Sequence, residues 1–341
     1  MAYKRIGCLG GSFDPIHKGH LELAKQILKD GCDEVWFIPS LSTPLKDRKL
    51  TAYEDRYRMI KLAIAPYRRM RVCAIEKTLP TPSYTLQTLQ ALKKRYPDAS
   101  FNFYLGGDQA KQLDRWYKIE ECFHLAQFKV FLRDQEELSC PYALPIVKMP
   151  LIDMSSTKVR EGRLQDCPAS VRRYIAEQGL YLSDYVASQL NEKRYLHSLS
   201  VAQLSVELAK AHGLDEIKAY RIGMLHDVCK YWNYEKGQRF MKAWFPDKLK
   251  EAAAIWHGYL AAKEIKRFYK IKDKQIIQAV YHHVKGSSLT PYTMIIYLAD
   301  KLDPSRGYDS SMQIALAKKD LKKAYLLVQK EQEEYLKKEK K

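Results

Sequence analysis

Residues 7–24 read GCLGGSFDPIHKGHLELA, and this stretch decides how the first half of the chain is interpreted. Before it, KRIGCLG is typical of a buried strand, and LELAKQILKD has the apolar spacing of a helix. Gly10 and Gly11 allow a tight turn in which the backbone approaches a ligand closely. The N-terminus of the following helix directs N–H groups at that ligand and favours an anion. His17 and His20 can donate hydrogen bonds to the same anion.

Strands and helices alternate through the rest of the first half. EVWFIPS, MRVCAIE, ASFNFYLGGD, FKVFLR and LPIVKMP are typical of strands, and TAYEDRYRMIKLAIA and SYTLQTLQALKKRY are typical of helices. Thr51 and Glu54 have the spacing of a capping box at the start of the first of these helices. The alternation predicts a Rossmann-like α/β domain with a parallel sheet, which we assign to residues 1–182.

Several small or charged residues follow the predicted strands directly. They are the Gly10–Gly11 turn, the Gly106-Gly107-Asp108 segment and Arg133. Ligands of parallel sheets bind at the carboxyl ends of the strands, so we expect these residues to meet at one site.

The composition limits the classes of protein that fit. The chain has 341 residues, 46% of them hydrophobic, which suits two domains with substantial cores. A formal net charge of +18 favours anionic partners such as phosphorylated metabolites or nucleic acid, although lysines spread over solvated faces would account for it equally. We expect a cytoplasmic protein without membrane association, because the chain has no long apolar run, no secretory signal and no CxxC pair among its seven cysteines.

Two histidines three residues apart are weak evidence for a site by themselves, because surface histidines in a turn have the same spacing. A second stretch, DMSSTKVR (153–160), strengthens the interpretation. It puts Ser155 and Ser156 at a helix start and Arg160 one turn later. Hydroxyls, backbone N–H groups and a guanidinium would then surround a polyphosphate. A helix N-cap is the alternative interpretation of the serines.

GGSFDPIHKGHLELA closely resembles the HxGH motif of the nucleotidylyltransferase superfamily, and DMSSTKVR resembles its second phosphate-binding motif. PSYTLQTL, FYLGGDQ, DRWYKIEE and YIAEQGLY are similar to bacterial nicotinate mononucleotide adenylyltransferases in particular. The resemblance extends over residues 1–182. It implies transfer of AMP from ATP, bound with Mg²⁺, to nicotinate mononucleotide, with release of pyrophosphate.

The resemblance also implies roles for individual residues. His17 and His20 would hold the triphosphate and support the transition state, and Lys46 would add a point charge. The other ATP contacts would be Gly10, Gly11, Ser12, Phe13, Ser155, Ser156 and Arg160. The nicotinate nucleotide would contact Thr85, Asp108, Trp116, Tyr117 and Arg133, with Trp116 stacked on the pyridine ring. The sequence departs from the family at TPLK (43–46), where PPHK is usual, so a secondary histidine contact is lost.

After residue 182 the segments have helical periodicity, which predicts an all-α domain over residues 183–341. His226 and Asp227 are adjacent in MLHDVCK on a predicted helix, which is a weak signal alone. Four further polar residues each lie in an apolar helix: His197, His257, His282 and Asp300. Buried polar residues need partners, and imidazoles with carboxylates are good ligands for Mn, Fe, Co or Zn.

The order H…HD…H…H…D resembles the HD phosphohydrolase superfamily. RYLHSLSVA, GMLHDVCK, WHG, YHHV and YLADKLDPSRGYD resemble its symmetrical dinucleoside tetraphosphatase branch over residues 185–315. The resemblance implies a pair of divalent ions (Fe, Mn or Co) and cleavage of diadenosine tetraphosphate into two ADP. One ion would be held by His197, His226, Asp227 and Asp300. The second would be held by Asp227, His257 and His282, with His283 as a competing ligand. Lys230 and Arg306 would bind substrate phosphates.

Alternatives stay open for the second half. It could act on another nucleotide or phosphoester, bind nucleotides or RNA without turnover, or serve only as a dimerisation element. The complete ligand set, and the lack of an aromatic and basic strand pattern, favour the enzyme over nucleic-acid binding. The oligomeric state is also open, with a homo-oligomer among the alternatives, and so is the preference for nicotinate over nicotinamide.

Overall fold

The structure is a computed structural model, and it describes residues 4–42, 49–133, 139–150 and 153–339. The chain forms two compact units: unit 1, of Met1–Val159 and Gln165–Tyr174, and unit 2, of Arg160–Leu164 and Ile175–Lys341. The domain boundary at residue 182 stays a prediction. Among the described residues, no helix combines the length and apolar character needed to cross a membrane.

A six-stranded parallel sheet forms the centre of unit 1. In chain order its strands are β1 (Lys4–Gly11), β2 (Glu34–Pro39), β3 (Met70–Val72), β4 (Ala99–Gly106), β5 (Gln127–Arg133) and β6 (Ile146–Met149). In space the order is β3-β2-β1-β4-β5-β6, with every neighbouring pair parallel. The order changes direction between β1 and β4, and ligands of such sheets bind at this switch point. The predicted Rossmann-like α/β fold is confirmed.

Helices cover both faces of this sheet. They are α1 (Lys18–Lys29), α2 (Tyr53–Ile64), α3 (Thr85–Arg95), α4 (Gly107–Ala110) and α5 (Ile119–Leu125). After β6 the chain forms α6 (Ser156–Arg160) and α7 (Ala169–Gln178). Ile6 and Cys8 of β1 share a core with Leu89 of α3. A Cβ placed on Gly7 would instead lie 2.1 Å from Cγ2 of Ile27 on α1. Because successive strand residues point to opposite faces, α1 lies opposite α3.

The start of α2 differs from the prediction. Its N-cap is Ala52, and in the described structure no side chain caps its first turn, so the capping box of Thr51 and Glu54 is wrong. Thr51 uses its backbone instead. Its N–H donates to Oδ2 of Asp14 (3.3 Å), and its carbonyl accepts from Nε of Arg56 (2.8 Å). The bond to Asp14 joins the start of α2 to the loop that follows β1.

Unit 2 is helical, without strands, wherever the structure describes it, which confirms the predicted all-α second half. Its helices after α7 are α8 (Leu182–Gln189), α9 (Glu192–Ala211), α10 (Glu216–Leu225), α11 (Tyr234–Trp244), α12 (Trp256–Arg267), α13 (Lys274–His282), α14 (Pro291–Lys301), α15 (Ser311–Lys319) and α16 (Leu321–Glu339). The most completely buried of them is α14, in which every residue from Tyr292 to Asp300 is buried. A helix that is apolar on all sides forms the middle of a helical domain.

Helices α9 and α10 pack closely at Gly223. A Cβ at this position would lie 2.4 Å from the Cα of Ala202 on α9, so a larger residue would push the two backbones apart. The carbonyl of Gly223 also accepts a hydrogen bond from Nδ1 of His226, at 2.6 Å. The crossing brings the His226 ring to 5.5 Å from the ring of His197 on α9, measured between centroids.

We predict that Gly223→Ala destabilises unit 2 by about 1–3 kcal/mol, because overpacking against backbone cannot be relieved by a side-chain rotation. Urea unfolding would measure this loss. Gly237→Ala on α11 is the matched control, since its Cβ would lie 3.7 Å from Cε3 of Trp256, an ordinary contact. The control should be neutral or stabilising by about 0.5–1 kcal/mol. Equal effects of the two substitutions would contradict the prediction.

Candidate functional sites

The loop after β1 is held by a buried arginine. Arg56 is 1% exposed and donates from Nη1 to the carbonyl oxygen of Ser12, at 2.7 Å. The next residue, Phe13, has φ +47°, a left-handed conformation that costs a non-glycine residue about 1–3 kcal/mol. Its ring meets the ring of His20 edge to face, at 5.0 Å between centroids. Strained backbone of this kind persists only where surrounding contacts hold it, as Arg56 does here.

The two histidines of the HxGH motif lie together at the start of α1. His17 is its N-cap, and the rings of His17 and His20 are 3.8 Å apart between centroids. The backbone N–H of His17 donates to Nδ1 of His20, at 3.2 Å. Nδ1 of His20 is therefore unprotonated, and the neutral ring carries its proton on Nε2 as a donor. Burial lowers the pKa of His17 to about 4, so this ring is neutral at pH 7.

The second phosphate motif makes contacts in both units. Ser155 Oγ accepts from the backbone N–H of Lys158 (3.1 Å), so the helix-cap interpretation accounts for this serine in the structure. Ser156 Oγ donates to the carbonyl of Pro15 (2.9 Å) and ties α6 to the HxGH loop. Arg160 belongs to unit 2, where its Nε is 3.5 Å from Oδ1 of Asp184. The phosphate contact of Arg160 stays a prediction.

Trp116 and the glycine turn border the same aromatic side chain. The Phe103 ring of β4 lies edge to face with the Trp116 ring, at 6.3 Å between centroids. The same ring lies 2.9 Å from the position that a Cβ would take on Gly10. Trp116 is partly exposed, as a ring that stacks on a ligand must be. The structure thus brings Gly10 and Trp116 to one region at the carboxyl end of the sheet.

The other residues assigned to the nicotinate nucleotide lie around this region. Tyr84 stands just before Thr85, the first residue of α3, and its ring is 4.9 Å from the ring of Tyr117. Asp108 is exposed in α4, directly after β4. Arg133 ends β5, and its side chain lies outside what the structure describes, as does the whole of Lys46. These roles stay predictions.

In unit 2, Asp227 lies at the centre of a group of histidines. His226 and Asp227 follow the last residue of α10 instead of lying within the helix. Oδ1 of Asp227 is 3.2 Å from Nε2 of His257 and 3.9 Å from Nε2 of His283. Its Oδ2 is 3.5 Å from Nε2 of His226. The carboxylate is 2% exposed, so it cannot be satisfied by bulk water.

A second carboxylate extends the group. Oδ1 of Asp300 is 3.2 Å from Nε2 of His197 and 3.9 Å from Nε2 of His226. Ligand atoms lie within 4.8 Å of one another in two sets, one of His197, His226 and Asp300, the other of His226, Asp227 and His283. His226 belongs to both sets. The two sets therefore lie side by side, and the Nε2 lone pair of His226 can serve one ion only.

Hydrogen bonds at Nδ1, the ring nitrogen on the side away from Asp227, fix the orientation of the imidazoles. Three of them donate Nδ1–H to the carbonyl three residues earlier: His226 to Gly223 (2.6 Å), His257 to Ala254 (2.9 Å) and His283 to Val280 (2.7 Å). A carbonyl oxygen only accepts, so Nδ1 carries a proton in all three rings. Nε2 is then the nitrogen whose lone pair can bind a cation. The group directs these Nε2 atoms at Asp227, and such orientation is typical of metal-binding histidines.

The fourth imidazole is oriented by a carboxylate. Nδ1 of His197 is 2.5 Å from Oδ2 of Asp303, which is fully buried. Asp303 also accepts from Ser200 Oγ (2.6 Å) and from the backbone N–H of Ser305 (3.0 Å). Burial opposes ionisation of Asp303, but these hydrogen bonds hold its pKa below the usual range. A carboxylate behind a histidine raises the basicity of the ligating nitrogen.

The donor set fits a divalent cation. Nε2 of His226 is buried and has no hydrogen-bond partner in the described structure, which is costly unless a cation binds there. Burial lowers the pKa of His226 and, to about 3, that of His283, so both rings are neutral as metal binding requires. Burial would raise the pKa of Asp227, but the surrounding imidazoles and the hydrogen bond from His257 hold it well below its usual range, so the carboxylate is ionised.

Cations border the group on its exposed side. Nη1 of Arg194 is 3.0 Å from Oδ2 of Asp227, and Nη2 of Arg306 is 2.7 Å from Oδ1 of Asp300. Their side chains are 29% and 38% exposed. Lys230 is half-buried, and burial lowers its pKa. Positive side chains beside a buried carboxylate pair suit an anionic substrate.

The structure places His283 in the group instead of the expected His282. Ile276 and Val280 of α13 are buried, and His283 continues their spacing of four and seven residues on one helix face. His282 lies off this face, and its Nδ1 is 2.7 Å from Oγ of Ser287. The expectation that His282 joins the ligand set is therefore corrected, and the periodicity of α13 was the signal that could have found His283.

Three further residues were missed. Arg194 lies three residues before His197 on α9, so helical spacing from a predicted ligand could have indicated it. Asp303 lies beyond the end of α14, so helical spacing from Asp300 does not indicate it. Nothing in the sequence singles out Arg56, because its partner is a backbone carbonyl of a distant segment.

Known proteins match both parts of the chain. The cytidylyltransferase-like family model matches residues 8–162, and the HD-domain model matches residues 194–305. A probable nicotinate-nucleotide adenylyltransferase of Bacillus pumilus is 37% identical over 188 residues, which are 53% of this chain and 100% of that protein. The chain belongs to the nicotinate-nucleotide adenylyltransferase family.

This member of the adenylyltransferase family has relatives that extend over its whole length. A Mycoplasma genitalium protein named probable nicotinate-nucleotide adenylyltransferase/Ap4A hydrolase is 29% identical over 338 residues, 95% of this chain and 96% of that protein. A solved HD superfamily hydrolase of Clostridium acetobutylicum, described as involved in NAD metabolism, is 27% identical. The match covers 46% of this chain and 86% of that one, with a TM-score of 0.44. Both resemblances stated from the sequence are confirmed.

We predict that His283→Gln lowers the affinity of the adenylyltransferase's HD domain for Mn²⁺ by about 10–100-fold or more, because a ligand is removed. His282→Gln is the matched control on the adjacent residue and should change the affinity less than about twofold, since His282 lies off the buried face. Titration calorimetry with metal-free protein measures both. A larger loss for His282→Gln than for His283→Gln would contradict the placement.

We predict that His17 titrates near pH 4 in the folded protein, because burial disfavours its charged form. The unfolded chain binds this proton near pH 6.5, so the stability contributed by neutral His17 is complete above pH 6.5 and is lost as the pH falls towards 4. An NMR titration of the His17 ring, assigned with His17→Gln, measures the midpoint. A midpoint at or above 6.5 would contradict the burial argument.

Proposed function

We propose that the protein is a bifunctional enzyme. Its first part transfers the AMP moiety of ATP to nicotinate mononucleotide, giving nicotinate adenine dinucleotide and pyrophosphate in NAD biosynthesis. Its HD part hydrolyses diadenosine tetraphosphate to two ADP. The M. genitalium relative supports this pairing, because its name carries both activities and it aligns with 95% of this chain.

The transferase reaction is a displacement at phosphorus. A phosphate oxygen of the mononucleotide attacks the α-phosphorus of ATP, the bond to the bridging oxygen of the β-phosphate breaks, and pyrophosphate leaves. Charge grows on the transferring group and on the leaving group, so donors placed around them lower the barrier without a covalent nucleophile. The observation that carries the proposal is the His17–His20 pair, in which the contact at Nδ1 leaves Nε2–H of His20 as a donor. Mg²⁺ bound with ATP would neutralise the triphosphate.

The acceptor nucleotide would occupy the region beside Phe103. The partly exposed Trp116 would stack on the pyridine ring, and backbone groups at Thr85 and Tyr117 would meet its carboxylate. Asp108 and Arg133, at the ends of β4 and β5, would complete the binding site. Lys46 would contribute a charge to the phosphates.

The hydrolase reaction would use the group around Asp227 and a pair of Fe, Mn or Co ions. We assign one ion to His197, His226, Asp227 and Asp300, and the other to Asp227, His257 and His283. Ions bound there would supply an activated water and take up negative charge from the phosphates. Arg194, Arg306 and Lys230 would bind and orient the polyphosphate, and Asp303 would hold the His197 ring in place.

Both proposed substrates are adenosine polyphosphates, and the net charge of +18 would favour their approach. The partners are thus small molecules in this proposal. All seven cysteines are unpaired, which suits the reducing cytoplasm.

The transferase proposal predicts that His20→Ala lowers kcat for dinucleotide formation by about 10²–10³-fold, because a transition-state donor is removed. The products are separated by chromatography after incubation with ATP, Mg²⁺ and nicotinate mononucleotide. His124→Ala is the control, since His124 is exposed on α5. Full activity of His20→Ala would contradict the role of the pair, and a wild type without product would overturn the assigned reaction.

The hydrolase proposal predicts that diadenosine tetraphosphate with Mn²⁺, Co²⁺ or Fe²⁺ gives ADP alone. Asp227→Ala should abolish this product, and Asp247→Ala should retain it, because Asp247 is an exposed carboxylate whose Oδ2 pairs with Lys248 (3.5 Å). AMP plus ATP as products would contradict symmetrical cleavage. No cleavage, together with RNA binding that weakens steeply with salt, would favour the non-catalytic alternative.

A further inference from the structure

A buried carboxylate outside both groups of site residues joins two loops of unit 1. Glu76 lies in the short 3-10 helix Ile75–Thr78 after β3 and is 8% exposed. A carboxylate is rarely this buried unless its oxygens accept hydrogen bonds. Its partners come from the segment after β2 and from the start of α3.

The first partner lies just after β2. The backbone N–H of Leu41 donates to Oε2 of Glu76, at 3.0 Å. Leu41 follows Pro39, the last residue of β2, by two positions and leads in sequence to Lys46. The Glu76 carboxylate thus holds the backbone of Leu41, where the chain leaves the carboxyl end of the sheet.

The second set of partners lies at the start of α3. Thr88 Oγ donates to Oε1 of Glu76 at 3.1 Å, and the Ser83 hydroxyl also bonds to this carboxylate. Ser42 and Ser83 are linked reciprocally, because the backbone N–H of each donates to the other's Oγ (3.3 and 3.2 Å). Two loops from different parts of the chain are therefore held side by side, with Glu76 bonded to both.

The contact between these two loops lies next to the residues assigned to the mononucleotide. Tyr84 follows Ser83 directly, and its ring packs on the ring of Tyr117. Thr85, the next residue, begins α3. A shift of Ser83 would displace the Tyr84–Thr85 backbone, which is expected to meet the nicotinate carboxylate.

Glu76 itself is unsuited to contact a ligand. Both of its oxygens are engaged and the side chain is buried, so it acts only through the residues it holds. Burial raises its pKa, although the hydrogen bonds from Ser83, Leu41 and Thr88 offset part of this.

We propose that Glu76 is a positioning residue for nicotinate mononucleotide: it holds the Leu41–Ser42 and Ser83–Tyr84 segments at the spacing that the acceptor nucleotide requires. This inference rests on the proposed transferase function. A positioning role differs from a general structural role in its effect on the two substrates. The hydrogen bonds of Glu76 reach the Leu41 and Thr88 segments, whereas the HxGH loop on the ATP side is bonded to Arg56.

The test compares Michaelis constants for the two substrates in the full-length protein. Glu76→Ala should raise KM for nicotinate mononucleotide by about tenfold or more and change KM for ATP less than about twofold, as expected for the loss of buried hydrogen bonds on one side of the site. Glu76→Gln should restore KM to within about threefold of the wild type, since an amide can accept from Leu41 N–H and donate to the two hydroxyls. Thr88→Val removes one donor and replaces Glu76→Ala if that variant fails to fold.

Lys77→Ala is the matched control on the same 3-10 helix. Lys77 pairs with Glu54 on the surface (2.7 Å), so both constants should stay at wild-type values. An unchanged KM for the mononucleotide in Glu76→Ala, or an equal rise in both constants, would overturn the positioning role while the transferase assignment stands. A wild type that makes no dinucleotide would overturn the transferase assignment and this inference with it.

Discussion

The centre of unit 2 depends on hydrogen bonds from imidazole Nδ1–H groups to backbone carbonyls three residues earlier. Gly223 lies in the last turn of α10 and Val280 in the last turn of α13, where carbonyls have no partner within the helix. His226 and His283 are the residues that cap these helices, and they satisfy those carbonyls. The ends of the helices therefore determine which nitrogen faces Asp227, and the adjacent His226–Asp227 pair belongs at a helix end for this reason.

In the HxGH loop, a helix N-terminus determines which nitrogen of an imidazole carries the proton. At the N-terminus of α1 the unpaired backbone groups are donors, and the N–H of His17 donates to Nδ1 of His20. The proton of the neutral His20 ring then lies on Nε2, which suits a phosphate oxygen. A helix C-terminus thus prepares an imidazole to bind a cation, and a helix N-terminus prepares one to bind an anion. The proposed hydrolase reaction needs rings that can bind a metal ion at Nε2, and the proposed transferase reaction needs a ring that donates from Nε2–H to a phosphate oxygen.

Much of this architecture could be predicted from periodicity and spacing. Alternating strands and helices indicated the parallel sheet, and apolar helices with isolated histidines indicated the second unit. The one-residue choice between His282 and His283 failed because adjacent helical residues point about 100° apart, so the phase of the helix decides which one is buried. The capping box at Thr51 failed because the backbone of Thr51 is bonded to Asp14 of the loop after β1 and to the Arg56 side chain, and Ala52 is the N-cap of α2.

Buried charged residues were the least predictable part. Arg56, Glu76 and Asp303 each bond to partners that folding brings near, including the backbone of Ser12 and Leu41 and the ring of His197. No local pattern distinguishes such residues from solvated charges, since long-range contacts alone compensate their burial. These three residues hold loops and rings in place. The geometry of both candidate sites therefore depends on residues whose roles cannot be predicted from the sequence.

The tautomers of the histidine rings provide the most direct test of this account. Two-bond ¹H–¹⁵N correlation spectra of protein labelled with ¹⁵N-histidine, recorded at pH 8 and assigned with single His→Gln variants, distinguish a protonated Nδ1 from a protonated Nε2. We expect Nδ1–H for His226, His257 and His283, and Nε2–H for His20. An unprotonated Nδ1 in any of the first three rings, or Nδ1–H on His20, would contradict these assignments.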